Sequence, residues 1–516
     1  MGLKVNTASV IGVEALPVEV QVDARRGVFL FNIVGLPDSA VREARDRVQA
    51  ALYASGYYLP ERHYTVNLAP SDVRKAGAAF DLPIAVGLMA GIGVVPESGP
   101  LERFAIVGEL SLDGSIRGVR GALAVASSLA SRGLAGLIVP EENAREAAVV
   151  RGVEVVPVRH LTDVIAFLRG ETAIPAVTLD PDALLAEAWR DGDLDYRDVA
   201  GQEHAKRAME IAAAGGHNVL MIGPPGSGKT MLAKRLPTIL PDMSVAEALE
   251  VTKIHSVAGW LPEDRGLVVR RPFESPHHTI SSAGLAGGGV GVPRPGTLSL
   301  AHRGVLFLDE LPEFGRHVLE VLRQPLETGA ISIVRSAAEV TFPADVCVVA
   351  AMNPCPCGYF GEPLRRCTCS PETVARYRRR LSGPLLDRID LHIEVPSLRY
   401  RELAAPRAGE PSEQIRARVM AARRVQAQRF AGTAVACNAR MTPAQLREFV
   451  ALDADGHRIM ESVMERLGLS ARAHDRILKV ARTIADLDGA VAVRATHLAE
   501  AVQYRGLDRA SNLRAA

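Results

Sequence analysis

One glycine-rich stretch decides the fold of this chain: Gly223-Pro224-Pro225-Gly226-Ser227-Gly228-Lys229-Thr230. An apolar run, Val219-Leu220-Met221-Ile222, precedes it, and a segment with helical character begins at Met231. Strand, glycine-rich loop and helix in that order are typical of a phosphate-binding loop. Glycines let backbone N–H groups curl around an anion, and the start of a helix adds partial positive charge at the same place. The stretch therefore predicts a nucleotide site, and the alternative is a glycine-rich turn before an ordinary helix.

Two residues of this stretch are predicted to contact ATP and Mg²⁺. The Lys229 ammonium can reach the β- and γ-phosphates, and the Thr230 hydroxyl can ligate the cation. Two acidic residues, Asp309 and Glu310, follow a second apolar run, Val305-Leu306-Phe307-Leu308. Ligands of α/β proteins lie beyond the carboxyl ends of such buried strands. We expect Asp309 to hold Mg²⁺ through water, and Glu310 to orient and activate the attacking water as a base. A buried strand that ends in a solvated acidic turn is the alternative.

An asparagine follows a third apolar run. Residues 346–350 are predicted to form a strand, and Asn353 comes shortly after it. Asn353 is therefore a candidate polar sensor of the γ-phosphate. Taken alone, such an asparagine would more often cap a turn, but the two preceding motifs favour the sensor.

Composition sets outer bounds on the function. The length of 516 residues predicts about three domains, and 48% apolar residues indicate buried cores rather than disorder. A net charge of +1 favours neither an anionic nor a cationic partner. No apolar run approaches the roughly 20 residues that span a bilayer, and the first residues alternate as a strand does. We therefore expect a cytoplasmic enzyme that does not enter a membrane.

Patterning divides the chain into four regions. Residues 1–170 mix strand and helix patterns and predict an α+β domain with its own core. Residues 171–197 predict a linker with a short acidic loop, Asp191-Gly192-Asp193-Leu194-Asp195. Residues 198–397 carry the motifs above and predict an α/β ATPase domain. Residues 398–516 predict a helical lid, in which Thr442 caps a helix that begins at Pro443.

Two segments of the ATPase region are candidates for gripping a polyanionic strand. Alternation over residues 331–342 predicts a β-hairpin with Arg335 near its tip, and residues 272–295 are rich in glycine and contain His277-His278. Arginine and histidine beside a mobile glycine-rich loop suit contact with a phosphate backbone, whereas a surface loop without function is the alternative. A basic run, Arg376-Tyr377-Arg378-Arg379-Arg380, either binds nucleic acid or covers a solvated helix face.

Four of the six cysteines form a tight cluster in the sequence: Cys355, Cys357, Cys367 and Cys369. Four thiolates can hold a tetrahedral zinc ion that folds a small loop. The single-residue spacing within each pair is tighter than the usual two to four, so unligated thiols are the alternative. We predict a structural zinc site.

The first region resembles the Lon-protease-type domain, a relative of the second domain of ribosomal protein S5. The matching pieces are Lys75-Ala76-Gly77-Ala78-Ala79-Phe80-Asp81-Leu82-Pro83-Ile84-Ala85, Val107-Gly108-Glu109-Leu110-Ser111-Leu112-Asp113-Gly114 and Ile138-Val139-Pro140-Glu141-Glu142-Asn143. Proteases of that family need a serine nucleophile and a lysine base, and those positions fall here on Ala79 and near Leu123. Neither side chain supplies an attacking oxygen or accepts a proton. The resemblance therefore implies an accessory domain without peptidase activity, which stabilises a ring or contacts DNA.

The ATPase region resembles AAA+ ATPases, in particular the subgroup with a hairpin before the sensor strand, which includes MCM helicases and magnesium-chelatase ATPase subunits. Leu385-Leu386-Asp387-Arg388-Ile389-Asp390 is similar to the segment that offers an arginine finger there. The resemblance implies that Arg388 reaches the γ-phosphate bound by a neighbouring subunit, and hence a ring. The second sensor of the family falls on Arg472, and Arg476 is the competing choice.

Taken together, the chain resembles the ComM/YifB family of magnesium-chelatase-like ATPases over essentially its full length. The expected fold is an AAA+ P-loop ATPase core of the α/β class with an N-terminal Lon-protease-like domain and a C-terminal helical lid. The resemblance implies a hexameric, ATP-driven helicase that acts on single-stranded or branched DNA and migrates junctions during natural transformation. The alternatives are a chelatase subunit that drives Mg²⁺ insertion into a porphyrin, a protein-remodelling ATPase, and a nucleotide-gated scaffold. Intact Lys229, Asp309 and Glu310 disfavour the scaffold.

Overall fold

The computed structural model describes residues 3–130, 132–187, 194–262, 264–289, 292–335, 338–363, 365–398 and 409–505. Residues 191–193 of the predicted acidic loop (191–195) and residues 336–337 at the tip of the predicted hairpin lie outside these ranges. The same holds for residues 399–408 and 506–516 of the predicted lid.

The N-terminal region is built on one mixed sheet. Its elements are β1 (Leu3–Ile11), β2 (Glu14–Arg26), β3 (Leu30–Val34), α1 (Ser39–Ala54), β4 (Arg62–Ala69), α2 (Asp81–Gly91), α3 (Pro100–Arg103), β5 (Phe104–Ile106), β6 (Glu109–Leu110), β7 (Ile116–Arg117), α4 (Ala122–Ala130), β8 (Gly136–Pro140), α5 (Glu141–Ala148), β9 (Glu154–Val158) and α6 (Leu161–Leu168). Seven strands pair in the order β3-β4-β2-β1-β5-β8-β9. β2 is antiparallel to both of its neighbours, whereas the strands from β1 to β9 along the order run parallel.

Each face of this sheet buries a different core. On one face, α2 is buried at every residue except its last, because nearly all of its side chains are apolar. On the other face, alanines of α4 pack in one cluster with Ala248 and Val251, which belong to the following region. The expectation that this region has a core of its own therefore holds for one face only.

The central region contains a five-stranded parallel sheet. Its elements are α7 (Pro181–Glu187), α8 (Glu203–Gly215), β10 (Val219–Ile222), α9 (Lys229–Arg235), α10 (Val245–Ala258), β11 (Phe273–Glu274), α11 (Ser282–Ala286), β12 (Gly287–Gly288), β13 (Arg294–Pro295), α12 (Thr297–Leu300), β14 (Val305–Leu308), α13 (Arg316–Val321), α14 (Arg323–Thr328), β15 (Ala330–Arg335), β16 (Ala338–Pro343), β17 (Cys347–Met352), α15 (Pro371–Arg378), α16 (Gly383–Leu386) and β18 (Leu391–Glu394). The sheet has the order β11-β14-β17-β10-β18. All of its pairs are parallel, so the carboxyl ends of the strands meet at one edge.

Unbroken apolar runs form the central strands of this sheet. Every residue of β10 and of β14 is buried, as expected where helices cover both faces of a parallel sheet. The predicted strands at 219–222 and 305–308 are confirmed residue for residue. The strand predicted at 346–350 extends to Met352, which brings its end closer to Asn353.

The predicted hairpin is confirmed as the antiparallel pair β15–β16, with a register from Ala330 opposite Pro343 to Arg335 opposite Ala338. It packs in one buried cluster with β14 and β17 and lies against the N-terminal region. Gly12, in the turn between β1 and β2, has φ +64°, and a Cβ there would lie 2.7 Å from Val340 Cγ1. The N-terminal region thus braces the hairpin from one side.

The C-terminal region is helical. Its elements are α17 (Ser412–Arg429), α18 (Pro443–Phe449), α19 (Ala454–Leu467), α20 (Ala471–Leu487) and α21 (Ala495–Gln503). Thr442 forms the predicted cap, because its hydroxyl accepts from the Gln445 N–H while the Gln445 side chain accepts from the Thr442 N–H. α20 is the most buried of these helices and packs on α8, which joins the helical region to the central sheet. Among the described residues, none of the helices is long and apolar enough to cross a bilayer.

Candidate nucleotide-binding site

The glycine-rich loop leaves β10 and leads directly into α9. Gly223 must be glycine, because a Cβ there would lie 2.1 Å from the Val395 carbonyl oxygen. Gly226 and Gly228 have φ values of +76° and +93°, a region that other residues avoid. No atom lies within 4 Å of the place where a Cβ would stand at either glycine, so the backbone of the loop is accessible to a ligand. This is the shape of a cradle for an anion.

Lys229 is held inside that loop. Its ammonium donates to the carbonyl oxygens of Gly223 at 2.7 Å and Pro224 at 2.8 Å, and it lies 3.4 Å from Asn353 Oδ1. Burial lowers the pKa of Lys229, and the charge of Asp309 opposes that shift. Ser227 Oγ is buried and has no hydrogen-bond partner among the described residues. The cradle therefore holds one buried cation and one unused polar group, which fits a phosphate ligand.

The acidic pair meets the loop at the same edge of the sheet. Thr230 Oγ1 donates to Asp309 Oδ2 at 2.9 Å, and the Glu310 N–H donates to Asp309 Oδ1 at 2.9 Å. A hydroxyl and a carboxylate side by side are the oxygen ligands that Mg²⁺ prefers. Parallel pairing of β14 with β17, and of β17 with β10, produces this meeting. The structure thus brings Lys229, Thr230, Asp309 and Asn353 together, although three separate segments carry them.

Glu310 has an unusual backbone. Its φ is +53°, in the left-handed region that non-glycine residues rarely occupy, and it caps a short 3₁₀ turn at Leu311–Glu313. Its carboxylate is 56% exposed and pairs with His278, with 3.2 Å between Oε2 and Nδ1. Sequence reasoning placed His278 in a segment that grips substrate and missed this contact. No sequence pattern joins the two residues; the contact follows from the parallel pairing of β11 with β14, because the loops after these strands then leave the sheet side by side.

Arg388 does not project from the surface of the single chain. It is buried and forms an ion pair with Glu327, and its Nη1 donates to the Pro384 carbonyl oxygen at 2.6 Å. Its Nε has no partner among the described residues. Engagement of a neighbour's phosphate would therefore require Arg388 to leave Glu327.

The two candidate sensor arginines of α20, Arg472 and Arg476, differ in their surroundings. Arg472 is exposed near the start of the helix, whereas Arg476 is paired with the buried Asp390. Burial raises the pKa of Asp390, but Arg476 and His217 outweigh that effect and hold the pKa well below its usual range. Arg476 is thus committed to an internal ion pair. Arg472 is the one of the two that lies exposed.

The four clustered cysteines converge, and their ligand atoms all lie within 4.8 Å of one another. Three Sγ–Sγ distances are 3.3, 3.7 and 3.6 Å. A tetrahedron of thiolates around zinc at about 2.3 Å has edges of about 3.8 Å, so the donor set fits that ion. Backbone hydrogen bonds from Tyr359 and Thr368 lower the pKa of Cys357, whereas backbone hydrogen bonds at Cys367 and Cys369 are outweighed by burial and the neighbouring thiols, which raise the pKa of both.

The cysteine loop touches the glycine-rich loop. Gly358 has φ +87°, and a Cβ on it would lie 2.5 Å from Pro225 Cδ. Cys355 follows Asn353 by two residues and is fully buried. The loop that carries the cysteines therefore supports both the cradle and Asn353.

The two positions predicted to have lost a protease dyad are structural. The Ala79 carbonyl accepts from the Gly108 N–H at 3.1 Å, and Leu123 is fully buried in α4. Leu123 lies in the packed interior of the N-terminal region, whereas Ala79 is half-buried.

Family models match most of the chain. The model described as magnesium chelatase, subunit ChlI, matches residues 195–403; the one described as subunit ChlI of Mg-chelatase matches 18–143; and that of the ChlI C-terminal part matches 409–505. The uncharacterized protein YifB of Escherichia coli is 44% identical over 506 residues, which are 98% of this chain and 97% of the relative. Competence protein ComM of Haemophilus influenzae is 43% identical over 507 residues, 97% of this chain and 96% of the relative. The magnesium-chelatase 38 kDa subunit of Rhodobacter capsulatus is 25% identical over 171 residues, which are 30% of this chain and 49% of that relative.

Proposed function

We propose that this chain, which belongs to the magnesium-chelatase ChlI family together with YifB and ComM, is an AAA+ ATPase that works as a ring on DNA. The observation that carries the proposal is the meeting of Lys229, Thr230, Asp309 and Asn353 at one edge of the parallel sheet. In this proposal, residues 1–170 are the Lon-protease-like accessory domain, 171–197 the linker, 198–397 the AAA+ core, and 398–516 the lid.

Each residue of the site has a role that its geometry supports. The backbone of residues 223–228 and the Lys229 ammonium would bind the phosphates, and Thr230 with Asp309 would hold Mg²⁺, whose charge assists phosphoryl transfer. Glu310 would accept a proton from the attacking water. Asn353 lies within reach of Lys229 and would orient the terminal phosphate.

Two arginines complete the proposed site from outside the cradle. Arg388 would reach the phosphate bound by the adjacent copy, and Arg472 would approach from the lid. Arg388 can serve only if copies adjoin, which is why we propose a ring, as a hexamer by family resemblance. Zinc on Cys355, Cys357, Cys367 and Cys369 would hold the loop behind the cradle and take no part in the chemistry.

DNA is proposed as the substrate on two grounds. The relative from Haemophilus influenzae is named a competence protein, and it matches nearly the full length of this chain. The hairpin β15–β16 and the glycine-rich insert of residues 272–295 lie side by side and present Arg335 and Arg294 as exposed cations. Arginines on adjacent projecting ribbons suit a phosphate backbone. The finer proposal is ATP-driven branch migration during recombination of transforming DNA.

The test measures ATP hydrolysis by the full-length protein with and without single-stranded or forked DNA. Lys229→Ala and Glu310→Gln are each expected to lower kcat at least about 100-fold, because each removes a group needed in the transition state. Lys234→Ala is the matched control, since Lys234 is an exposed lysine on the same helix and should leave the rate unchanged. Wild-type rates from Lys229→Ala would refute the proposed site.

The DNA arm separates the proposal from its rivals. Stimulation by DNA that falls steeply between about 50 and 200 mM salt supports a motor on nucleic acid. A rate of hydrolysis that is the same with and without DNA favours a protein-remodelling or chelatase-like ATPase. The chelatase alternative draws on the ChlI family models, but the chelatase subunit itself matches only 30% of this chain.

A further inference from the structure

The structure separates the side chains of the basic run, residues 376–380, into two groups. Tyr377 is buried, and the Arg378 Nε donates to a backbone carbonyl oxygen at 3.3 Å. Arg380 forms an ion pair with Glu313, with 2.7 Å between Nη1 and Oε2. Three of the five side chains in the run are thus committed to contacts inside the chain.

Four arginines in and near this run are exposed: Arg365, Arg366, Arg376 and Arg379. We call these four residues the basic surface. The side chains of the last three form no ion pair or hydrogen bond with any residue that the structure describes. Residues 355–380 contain six arginines and only two acidic residues, so this part of the chain carries a net positive charge. Such a concentration of exposed arginines is typical of a site for a polyanion.

Packing joins the loop that carries the cysteines to α15, so that their arginines belong to one packed unit. The guanidinium carbon of Arg378 lies 5.3 Å from the centroid of the Phe360 ring. On the loop itself, the guanidinium carbon of Arg365 lies 4.1 Å from the centroid of the Tyr359 ring, and its Nη1 donates to the Tyr359 hydroxyl at 2.8 Å. Arg365 is therefore held in place before any ligand arrives, which reduces the side-chain entropy lost on binding.

We propose that the basic surface binds the phosphate backbone of single-stranded DNA, as a contact additional to the hairpin β15–β16 and the glycine-rich insert. The planar guanidinium group donates two parallel hydrogen bonds to a phosphate, whatever the base sequence. Cations beside aromatic rings are also the usual composition of surfaces that bind single strands. The inference rests on the proposed function, because it assigns to the loop that carries the cysteines a part in holding the DNA proposed there.

The basic surface is connected through packing to both the hairpin and the cradle. Tyr377 lies in the same buried cluster as Ile333 and Val340 of the hairpin. At the other end of the loop, a Cβ on Gly358 would lie 2.5 Å from Pro225 Cδ in the cradle. A strand of DNA that contacts the basic surface therefore bears on the loop that supports the cradle.

The test measures binding of fluorescently labelled oligothymidylate to the full-length protein by anisotropy, with a non-hydrolysable ATP analogue present. The triple variant Arg366→Ala/Arg376→Ala/Arg379→Ala is compared with the wild type between about 50 and 200 mM salt. We expect the Kd at low salt to rise at least about tenfold, and the slope of log K against log salt to become shallower by about 2. Each lost phosphate contact on a single strand removes about 0.7 from that slope.

Two further variants make the comparison specific. Arg424→Ala/Arg447→Ala/Arg466→Ala is the matched control, because it removes three exposed arginines of the helical region that likewise have no polar partner among the described residues. It should leave the Kd and the slope unchanged. Lysine replacements at positions 366, 376 and 379 should retain the wild-type slope, since counterion release depends on charge and not on the shape of the side chain.

Three results overturn the inference. The first is a Kd and slope in the alanine variant that equal those of the wild type. The second is an equal loss in the matched control, because net charge alone would then explain the effect. The third is altered assembly of the alanine variant in light scattering with unchanged affinity for oligothymidylate, which assigns the basic surface to contact with a second copy of the chain.

Measuring ATP hydrolysis on the same samples separates this inference from the proposed function. Oligothymidylate binding that depends on the basic surface, together with a hydrolysis rate that DNA does not change, supports the inference and counts against a motor on DNA. Hydrolysis that DNA stimulates equally in the wild type and the alanine variant, with equal affinities, overturns the inference and leaves the motor standing. A wild-type protein that binds no oligothymidylate overturns both.

Discussion

At the scale of single residues, the candidate site is a set of side chains whose partners are distant in sequence. Thr230 bonds to Asp309, and Lys229 lies beside Asn353. Residue type and position after an apolar run were enough to nominate all four. The partners of Arg388 and Glu310 were not predictable in the same way, because Glu327 and His278 belong to no motif that chemistry demands.

Arg388 is the residue whose role is most open to direct measurement. Arg388→Ala is expected to lower kcat at least about 100-fold while the Kd for nucleotide stays within about twofold, because a finger acts on transition-state charge. Glu327→Gln removes the internal partner and leaves the guanidinium free. We expect this second variant to retain hydrolysis, measured alongside nucleotide binding by calorimetry.

A purely structural Arg388 would behave differently. Arg388 is buried and Glu327 is half exposed, so loss of their contact would lower Tm in both variants, and Glu327→Gln would leave the buried guanidinium without its charged partner. Parallel losses of activity and Tm in the two variants would count against the finger.

At the scale of elements, three short segments connect to the candidate site: the glycine-rich insert, the hairpin, and the loop that carries the cysteines. The insert and the cysteine loop follow the carboxyl ends of β11 and β17 and reach the proposed base or the cradle directly, whereas the hairpin precedes β17 and contacts the insert. The alternation of the hairpin and its arginine were visible in the sequence. The contacts of these segments with one another depended on the order of the strands.

The cysteine loop is expected to bind about one zinc ion per chain, measured by elemental analysis of the purified protein. Cys355→Ser should lose the metal and weaken nucleotide binding several-fold, because Gly358 would no longer be held against Pro225. Cys347→Ser is the matched control, since Cys347 lies at the start of β17, outside the cluster. Full zinc content in Cys355→Ser, or none in the wild type, would contradict the site.

At the scale of the whole molecule, the N-terminal region is joined to the ATPase region through a shared core. The alanine face of α4 packs on α10, and we call this contact between the two regions the seam. A polar cavity of about 250 Å³ lies at the seam and is lined by Glu146, Ser256 and Arg120. Asn143 Nδ2 donates to Glu146 Oε1 at 2.6 Å, while Oε2 is buried without a partner among the described residues. The seam is thus held by apolar packing and carries a buried carboxyl group.

Glu146 makes the seam sensitive to pH. Burial raises the pKa of its carboxyl group above the ordinary value, although the Asn143 hydrogen bond opposes this. The folded state then binds the proton more tightly than the unfolded state, so stability falls as pH rises through the range between the two pKa values. Glu146→Gln is therefore expected to raise Tm at pH 7.5, to change it little at pH 4, and to flatten the profile of Tm against pH.

Scanning calorimetry from pH 4 to 8 measures that profile. Glu142→Gln is the control, a carboxylate on the same helix that lines the same cavity but bonds to the exposed Gly118 N–H. A profile in Glu146→Gln that keeps the wild-type slope would show that the carboxyl group does not titrate as inferred.

Much of the fold was predictable from the sequence, and the features that were not predicted share one physical cause. The strands 219–222 and 305–308 and the cap at Thr442 were predictable because apolar runs, glycine turns and capping pairs act over a few neighbouring residues. The end of β17 at Met352 and the shared core of the N-terminal region were not. Both depend on packing against elements far along the chain, which no local window contains.

By itself, the sequence determined the class of the central sheet, the loop that would cradle a phosphate, and the residues able to hold a cation beside it. These follow from local chemistry, since backbone freedom at glycine and the end of a buried strand need no partner to be recognised. Only the tertiary structure decided that His278 meets Glu310, that Arg388 lies on Glu327, and that the cysteine loop supports the cradle. Such contacts depend on strand order and on the packing of distant segments. A residue pattern within one stretch of the chain does not reveal either of them.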